Sequence, residues 1–263
     1  MLQQDDRVVV VGSGVRVAGI VPWWVDVVEL PENRGVTGGR NAGWQFLKDI
    51  NSIDVVVNVD DDGYLPNQDT ANLIRESFAR FDRLGVLAFR ITDEEGETQR
   101  RHVPRLGGNG ARQASEVTTF LGGCHALRAE MLHEIGCWPE EFFYAHEETD
   151  LSWRALDAGW TIYYNPELQL VHPKTTPARH KVYYRMTARN RVWLARRHLP
   201  SILVPIYLPN WTIITLLRRP PIDCLREWFS GFFEGWRTVC GERNPIRWST
   251  VLRMAKIGRP PIV

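Results

Sequence analysis

Three consecutive carboxylates, Asp60-Asp61-Asp62, follow the run Val55-Val-Val-Asn-Val59 and precede Gly63. Three adjacent negative charges are costly unpaired, and the simplest counter-charge is a divalent cation with oxygen ligands; a solvated acidic turn is the alternative. A second stretch, 31–43, sets Gly35, Gly38, Gly39 and Gly43 around Arg40 and Asn41. Glycines where a loop enters a helix let a backbone approach a ligand closely, and a helix N-terminus there favours a phosphate. Arg40 and Asn41 add donors that a diphosphate or a base could use. A third stretch holds Glu147-Glu148, with Asp150 and Arg154 beyond it. A neighbouring carboxylate raises one of the pair's pKa values towards that of a usable base. Asp150 and Arg154, spaced i,i+4, can simply pair on a helix. His172 before Pro173, taken alone, reads as structural.

These groups need elements to hold them. The Val55–Val59 run reads as a buried parallel strand covered on both faces, delivering its carboxylates to a carboxyl end, where open α/β sheets bind ligands. Arg7–Val11 and Asp26–Leu30 read as two earlier strands, and Gly12-Ser13-Gly14 fails the dinucleotide-binding spacing because position 17 is Val. Apolar residues at helical spacing predict helices from Trp44 to Ile50, over 70–84, over 127–135 and over 149–158. Strands are expected at 86–91, 117–126, 161–164 and 168–172, and 92–114 reads as a polar, glycine-rich surface excursion that could serve as a lid. Gly122-Gly123 leave room for a ligand or another backbone.

At 263 residues the chain suits one large α/β domain, or one domain with an appendage. The four cysteines show no metal-binding spacing and suit a reducing compartment. No signal peptide is read at the start, where 1–6 is polar and acidic. The formal net charge of +1 hides a division: 15 Lys/Arg against 27 Asp/Glu through residue 173, then 17 against 4. An acidic body with a basic, Trp-rich tail attracts nucleic acid or anionic lipid on charge alone.

Taken in order, the motifs resemble those of the family 2 glycosyltransferases. The matching pieces are Glu32-Asn33-x-Gly35, Gly39-Arg40-Asn41-x-Gly43, the strand ending in Asp60-Asp61-Asp62, and Gly122-Gly123. Then come Ile135-Gly136-x-Trp138-x-Glu140-x-Phe142-Phe143, Glu147-Glu148-Thr-Asp150-Leu-x-x-Arg154, and Val171-His172. The match covers roughly 7–197 and looks most like rhamnosyltransferase-like and galactofuranosyltransferase-like enzymes. The resemblance implies a GT-A fold, a Rossmann-like mixed α/β sheet flanked by helices, over 1–175, lacking the family's usual first strand–helix unit. Residues 176–263 would form a helical extension. It implies an inverting transfer of sugar from a dTDP- or UDP-sugar donor to a glycan or glycolipid acceptor in cell-envelope synthesis. Asp60, Asp62 and His172 would hold Mg²⁺ or Mn²⁺. Gly39, Arg40, Asn41, Asp60 and Gly123 would bind the nucleotide-sugar. Glu148 would be the base, with Glu147 the alternative, because the family's Asp is replaced by a carboxylate one methylene longer. Asp150 would lie near the acceptor.

In the tail, 180–198 is basic and aromatic, and the resemblance implies a Tyr-rich helix there that Arg189-Asn190 fits. Ser201–Leu217 is uncharged for 17 residues but contains Pro205, Pro209 and Asn210, a poor spanning helix where about 20 apolar residues are needed. Lodging at the inner face of a membrane, with Trp211, Trp228 and Trp236 as anchors, is expected instead. Packing on the catalytic part or in a homodimer is the alternative, and nothing supports nucleic acid as a partner. Two rival readings remain: a sugar-nucleotide-dependent nucleotidyltransferase, and a non-catalytic binding or scaffold protein.

Overall fold

The structure, a computed structural model, describes residues 2–3, 6–50, 53–174 and 181–262. Two strands, β1 (Val9–Ser13) and β2 (Asp26–Leu30), pair in parallel as a separate ribbon. Helix α1 (Gly35–Lys48) leads to β3 (Val55–Val59), and α2 (Thr70–Arg80) to β4 (Leu84–Thr92). After a long excursion come β5 (Ser115–Glu116), β6 (Cys124–Arg128), α3 (Ala129–Ile135), α4 (Glu147–Asp157) and β7 (Thr161–Val171). The main sheet has the order β3-β6-β4-β7-β5. β4 is wholly buried and lies between an antiparallel β6 and a parallel β7. Since β6 also runs antiparallel to β3, strands β3, β4 and β7 point the same way. Their carboxyl ends therefore share one edge of the sheet, which gathers Asp60, Asp62 and His172.

Two apolar clusters cover the sheet. One lies under α2, with Ile74 and Phe78 on Leu87, Phe89 and Leu170. The larger holds Trp44 of α1, Met131 of α3, and Leu151, Trp153 and Leu156 of α4. It continues without a break into the tail: α5 (Lys181–His198) contributes Val192 and Leu194, α6 (Val204–Leu217) Leu208 and α8 (Trp248–Ile257) Met254, with Phe232 of α7 (Ile222–Arg237) packed against the same core. Residues on both sides of the charge boundary at 175 thus share this cluster. Helices α5 and α7 meet backbone to backbone: a Cβ at Gly231 would stand 2.0 Å from the Arg185 carbonyl oxygen, and one at Gly235 2.7 Å from that of Arg189.

Several expectations change. β3 is not a buried parallel strand: it pairs only with β6, in antiparallel, and Val57 and Val59 are 39% and 45% exposed. Among the described residues no strand lies on its outer edge, and the β1–β2 ribbon does not pair with it. Helix α1 starts at Gly35, so Gly38 through Asn41 are helical rather than loop. Leu127 belongs to β6, and the two short strands expected at 161–172 are one strand, whose pairing with β4 shifts register at Phe89/Arg90. Trp228 is buried and stacked on Phe232, and Trp211 lies under the Arg191 guanidinium, so of the three expected anchors only Trp236 is substantially exposed. Among the described residues no helix is long and apolar enough to cross a membrane.

Candidate functional site

Asp60 leaves β3 with its backbone N–H bonded to the Gly123 carbonyl, 2.9 Å away, at the head of β6. His172 follows β7, its N–H bonded to the Thr92 carbonyl at 2.9 Å. The two strand ends bring Asp60, Asp62 and His172 together, each with a ligand atom within 4.8 Å of the others. Asp61, exposed, is not part of the group. His172 Nδ1 lies 2.8 Å from its neighbour's carbonyl oxygen at Pro173, which only an N–H can satisfy. That tautomer leaves a lone pair on Nε2, 3.0 Å from Asp62 Oδ1. Two acceptors facing each other call for a cation or a proton between them. One imidazole and two carboxylates, with the second ring nitrogen held by a carbonyl, are a donor set that fits a divalent metal. Burial raises the Asp60 carboxyl's pKa, opposed by Arg40. On the 92–114 excursion, burial, with the charges of Arg101 and His172 adding to it, pushes the pKa of His102 down to about 4.

Arg40 joins this group to the paired glutamates. One Nη bonds Asp60 Oδ1 at 3.2 Å and the Gly122 carbonyl at 2.8 Å. The other lies 3.7 Å from Glu147 Oε1 and makes no hydrogen bond, and Glu147 Oε2, also buried, makes none either. The guanidinium sits 5.0 Å from the ring centre of Trp138. Such unspent buried donors and acceptors cost free energy unless a ligand or water uses them.

Glu147 and Glu148 open α4, where the helix dipole favours anions. Burial nevertheless raises both pKa values; the Glu147 charge pushes that of Glu148 further up, to about 8, while Arg40 and a hydrogen bond with Glu148 oppose the rise at Glu147. Glu148 Oε1 occupies the space in front of Gly122, 2.3 Å from where a Cβ there would stand. The turn before α4 is strained: Phe143, Ala145 and His146 adopt φ of 62°, 72° and 70°, which non-glycine residues rarely do. Asn190 of α5 holds that turn, its Nδ2 donating to the carbonyls of Phe142, Tyr144 and Ala145 at 2.9, 2.9 and 2.8 Å. Arg189 donates to the carbonyls of Glu141 and Phe142 at 3.1 Å each.

Other expected site residues land elsewhere. Asp150 is fully buried, 2.8 Å from Arg154 Nε, 2.7 Å from His198 Nε2 and 3.1 Å from Arg197 Nη1. Despite burial, the cations around it hold its carboxyl well below the usual carboxylate range. Arg154 also bonds the carbonyls of Ile135, Gly136 and Cys137. The pair is therefore a buried strut, and Asp150 has no free face for an acceptor. Asn41 is spent on the Trp138 backbone, through both its oxygen and its nitrogen, and on Glu140. It pins the 138–140 segment instead of reaching into the site. Gly39 has nothing within 4 Å of a Cβ position, and Gly123 packs beneath Asp60 against Ile91. Sequence reasoning missed Gly122 as the seat of Glu148, Trp138 under Arg40, His102, and the clamp made by Asn190. The Gly122-Gly123 pair, Trp138 within its motif and Arg189-Asn190 stood out in the sequence, but without these roles.

A mixed α/β sheet with an antiparallel strand inserted among parallel ones, and a site at the strands' carboxyl ends, is the GT-A fold. Solved structures of that fold superimpose on the chain. GalNAc-T7 with UDP, GalNAc and Mn²⁺ matches with TM-score 0.57 at 14% identity, over 77% of this chain and 43% of that one. S. aureus TarS (residues 1–349) matches with TM-score 0.53 at 16% identity, over 87% and 71%. The Pyrobaculum calidifontis mannosyltransferase PcManGT with GDP-Man and Mn²⁺ gives 0.52 at 16%, over 95% and 69%. This chain thus spans less than half the length of GalNAc-T7. No family model matches the sequence, and no curated protein does.

Proposed function

We propose that the protein is an inverting glycosyltransferase using a nucleotide-diphosphate sugar. The carrying observation is the Asp60/Asp62/His172 group, set against the Glu147/Glu148 pair and linked to it by Arg40. One end is a cation and diphosphate site; the other is a proton acceptor. A bound Mg²⁺ or Mn²⁺ would neutralise charge developing on the leaving diphosphate. The chain's own groups do the rest. Glu148 takes the proton of an acceptor hydroxyl as that oxygen bonds the anomeric carbon. The bond from that carbon to the diphosphate oxygen breaks on the opposite face, and the nucleoside diphosphate departs with the electron pair. Arg40 holds Glu147 and Asp60 in register and offers its unspent Nη to the diphosphate. Glu147, buried against Arg40, sets the proton affinity of Glu148. The motif order supports a family 2 enzyme, a dTDP- or UDP-sugar donor, and an acceptor in the cell envelope at the inner membrane face.

Calorimetric titration with UDP-, dTDP- and GDP-sugars, with and without Mn²⁺, tests the reading. Metal-dependent binding to one of them is expected, with at least a tenfold loss in Asp62→Asn. Absence of metal-dependent binding to all three sinks it.

A further inference from the structure

An open cavity of about 630 Å³ lies away from the carboxylates, between α6 and α7. That is ample for a small-molecule site. Its walls are aliphatic and aromatic, from Leu208 and Ile213 on one helix to Phe232 and Trp236 on the other. From Val204 to Ile213 the wall rises roughly 14 Å along α6 at about 1.5 Å per residue. The polar side chains lining it already bond to the protein itself. Arg196 donates to the carbonyls of Gly235, Trp236 and Thr238, and Arg243 to those of Arg196 and Leu199 and to Ser201 Oγ. Thr212 donates to the Leu208 carbonyl at 2.9 Å. A peptide strand laid here would find no partners for its amides, a cost that a hydrocarbon chain does not incur.

The surroundings point the same way. α6 is uncharged along its length, yet Ile206, Ile213, Leu216 and Leu217 are all exposed, with Ile202 before them and Phe233 and Trp236 across the cleft. A surface helix of a water-facing protein keeps a polar side; this one does not. Arg218 and Arg219 follow α6 directly, and Arg226 lies 76% exposed on α7. An apolar face bordered by arginines complements anionic headgroups.

We propose that the α6–α7 cleft binds the hydrocarbon tail of an anionic membrane lipid, drawn from the bilayer on which this face rests. The proposal does not depend on the transferase reading, because its measurement involves no sugar or metal. The probe is a conjugated polyene fatty acid added to the full chain, with quenching of tryptophan emission, and its reduction in Trp236→Phe, as readout. Saturable binding at one site is expected, weakened at least tenfold in Thr212→Phe, which fills the cleft. A diazirine-bearing fatty acid should label 204–213 or 232–236, a measurement that stands even if the variant fails to fold. Vesicles of phosphatidylglycerol should carry the protein down at low salt, and vesicles of phosphatidylcholine should not. Non-saturable binding, unchanged binding in a folded Thr212→Phe, or labelling confined to other segments overturns the proposal. So does a dimer that closes the cleft and excludes the fatty acid, which would make a second copy the occupant.

Discussion

Gly122 shows how tightly the site is built at the scale of single residues. The Glu148 carboxylate stands where a Cβ would be, so Gly122→Ala must displace the base by about an ångström. A misplacement of that size costs on the order of 100-fold in rate; kcat should fall by about that factor, with donor affinity nearly unchanged. Glu148 itself has a raised pKa, through burial first and Glu147 second. As the base it must be ionised, so kcat/KM should climb with pH through that raised value, and Glu148→Gln should abolish the climb along with turnover. The stability consequence has the opposite sense. Between the ordinary carboxyl pKa, about 4.3, and the raised one, the folded state binds more protons than the unfolded, so stability falls as pH rises across that window. Glu148→Gln should therefore raise the melting temperature near neutral pH, by a few degrees on the usual scaling, while destroying activity. An inactive variant with lower stability would instead make Glu148 a structural group. At this scale the carboxylates and His172 were legible because ionisable residues announce themselves by type. Gly122 and Trp138 were not, since their roles come from what another residue places against them.

Among elements, the critical joint lies between the turn at 142–146 and α5. Three left-handed residues in that turn cost of order 1–3 kcal/mol each, and they aim the first turn of α4 at Arg40 and Gly122. Asn190, fully buried, answers three carbonyls of the turn from a helix some 45 residues further on. Asn190→Ala takes the side-chain donor from the Tyr144 and Ala145 carbonyls, while Phe142 keeps Arg189, and should cost about 2 kcal/mol in denaturant unfolding, at roughly 1 kcal/mol each. Its kinetic signature separates positioning from mere support: in the folded population kcat falls while the donor KM holds, because Asp60, Asp62 and His172 are untouched. Helical and strand periodicity gave most elements of the α/β part, while the Arg189-Asn190 helix came from the motif resemblance. Periodicity could not report that β3 is an edge strand, because four valines look the same whether one face or both are covered. Nor could it show that α1 begins at Gly35, since glycine-rich turns of helix carry loop-like composition.

For the whole molecule, charge and packing divide the chain differently. The basic excess after residue 173 suggests an appendage, but Val192, Leu194, Leu208 and Met254 share a core with Leu151, Trp153 and Leu156. Asp150 ties the two halves again through Arg197 and His198. Composition reads charge residue by residue, whereas a shared core is a property of contacts between residues far apart in sequence, which is why the second division was hidden. A chain ending at 175 would expose the apolar side of α4 and leave Asp150 with Arg154 as its one cation among the described residues. Removing partners from a buried charge costs about 3–5 kcal/mol, a large part of a domain's usual 5–15 kcal/mol. Such a truncation should therefore lose its cooperative thermal transition and its near-ultraviolet dichroism, and with them metal-dependent nucleotide binding. A cooperative melt in the truncated chain would mean that the first 175 residues fold as a domain by themselves, and that the tail is carried rather than required.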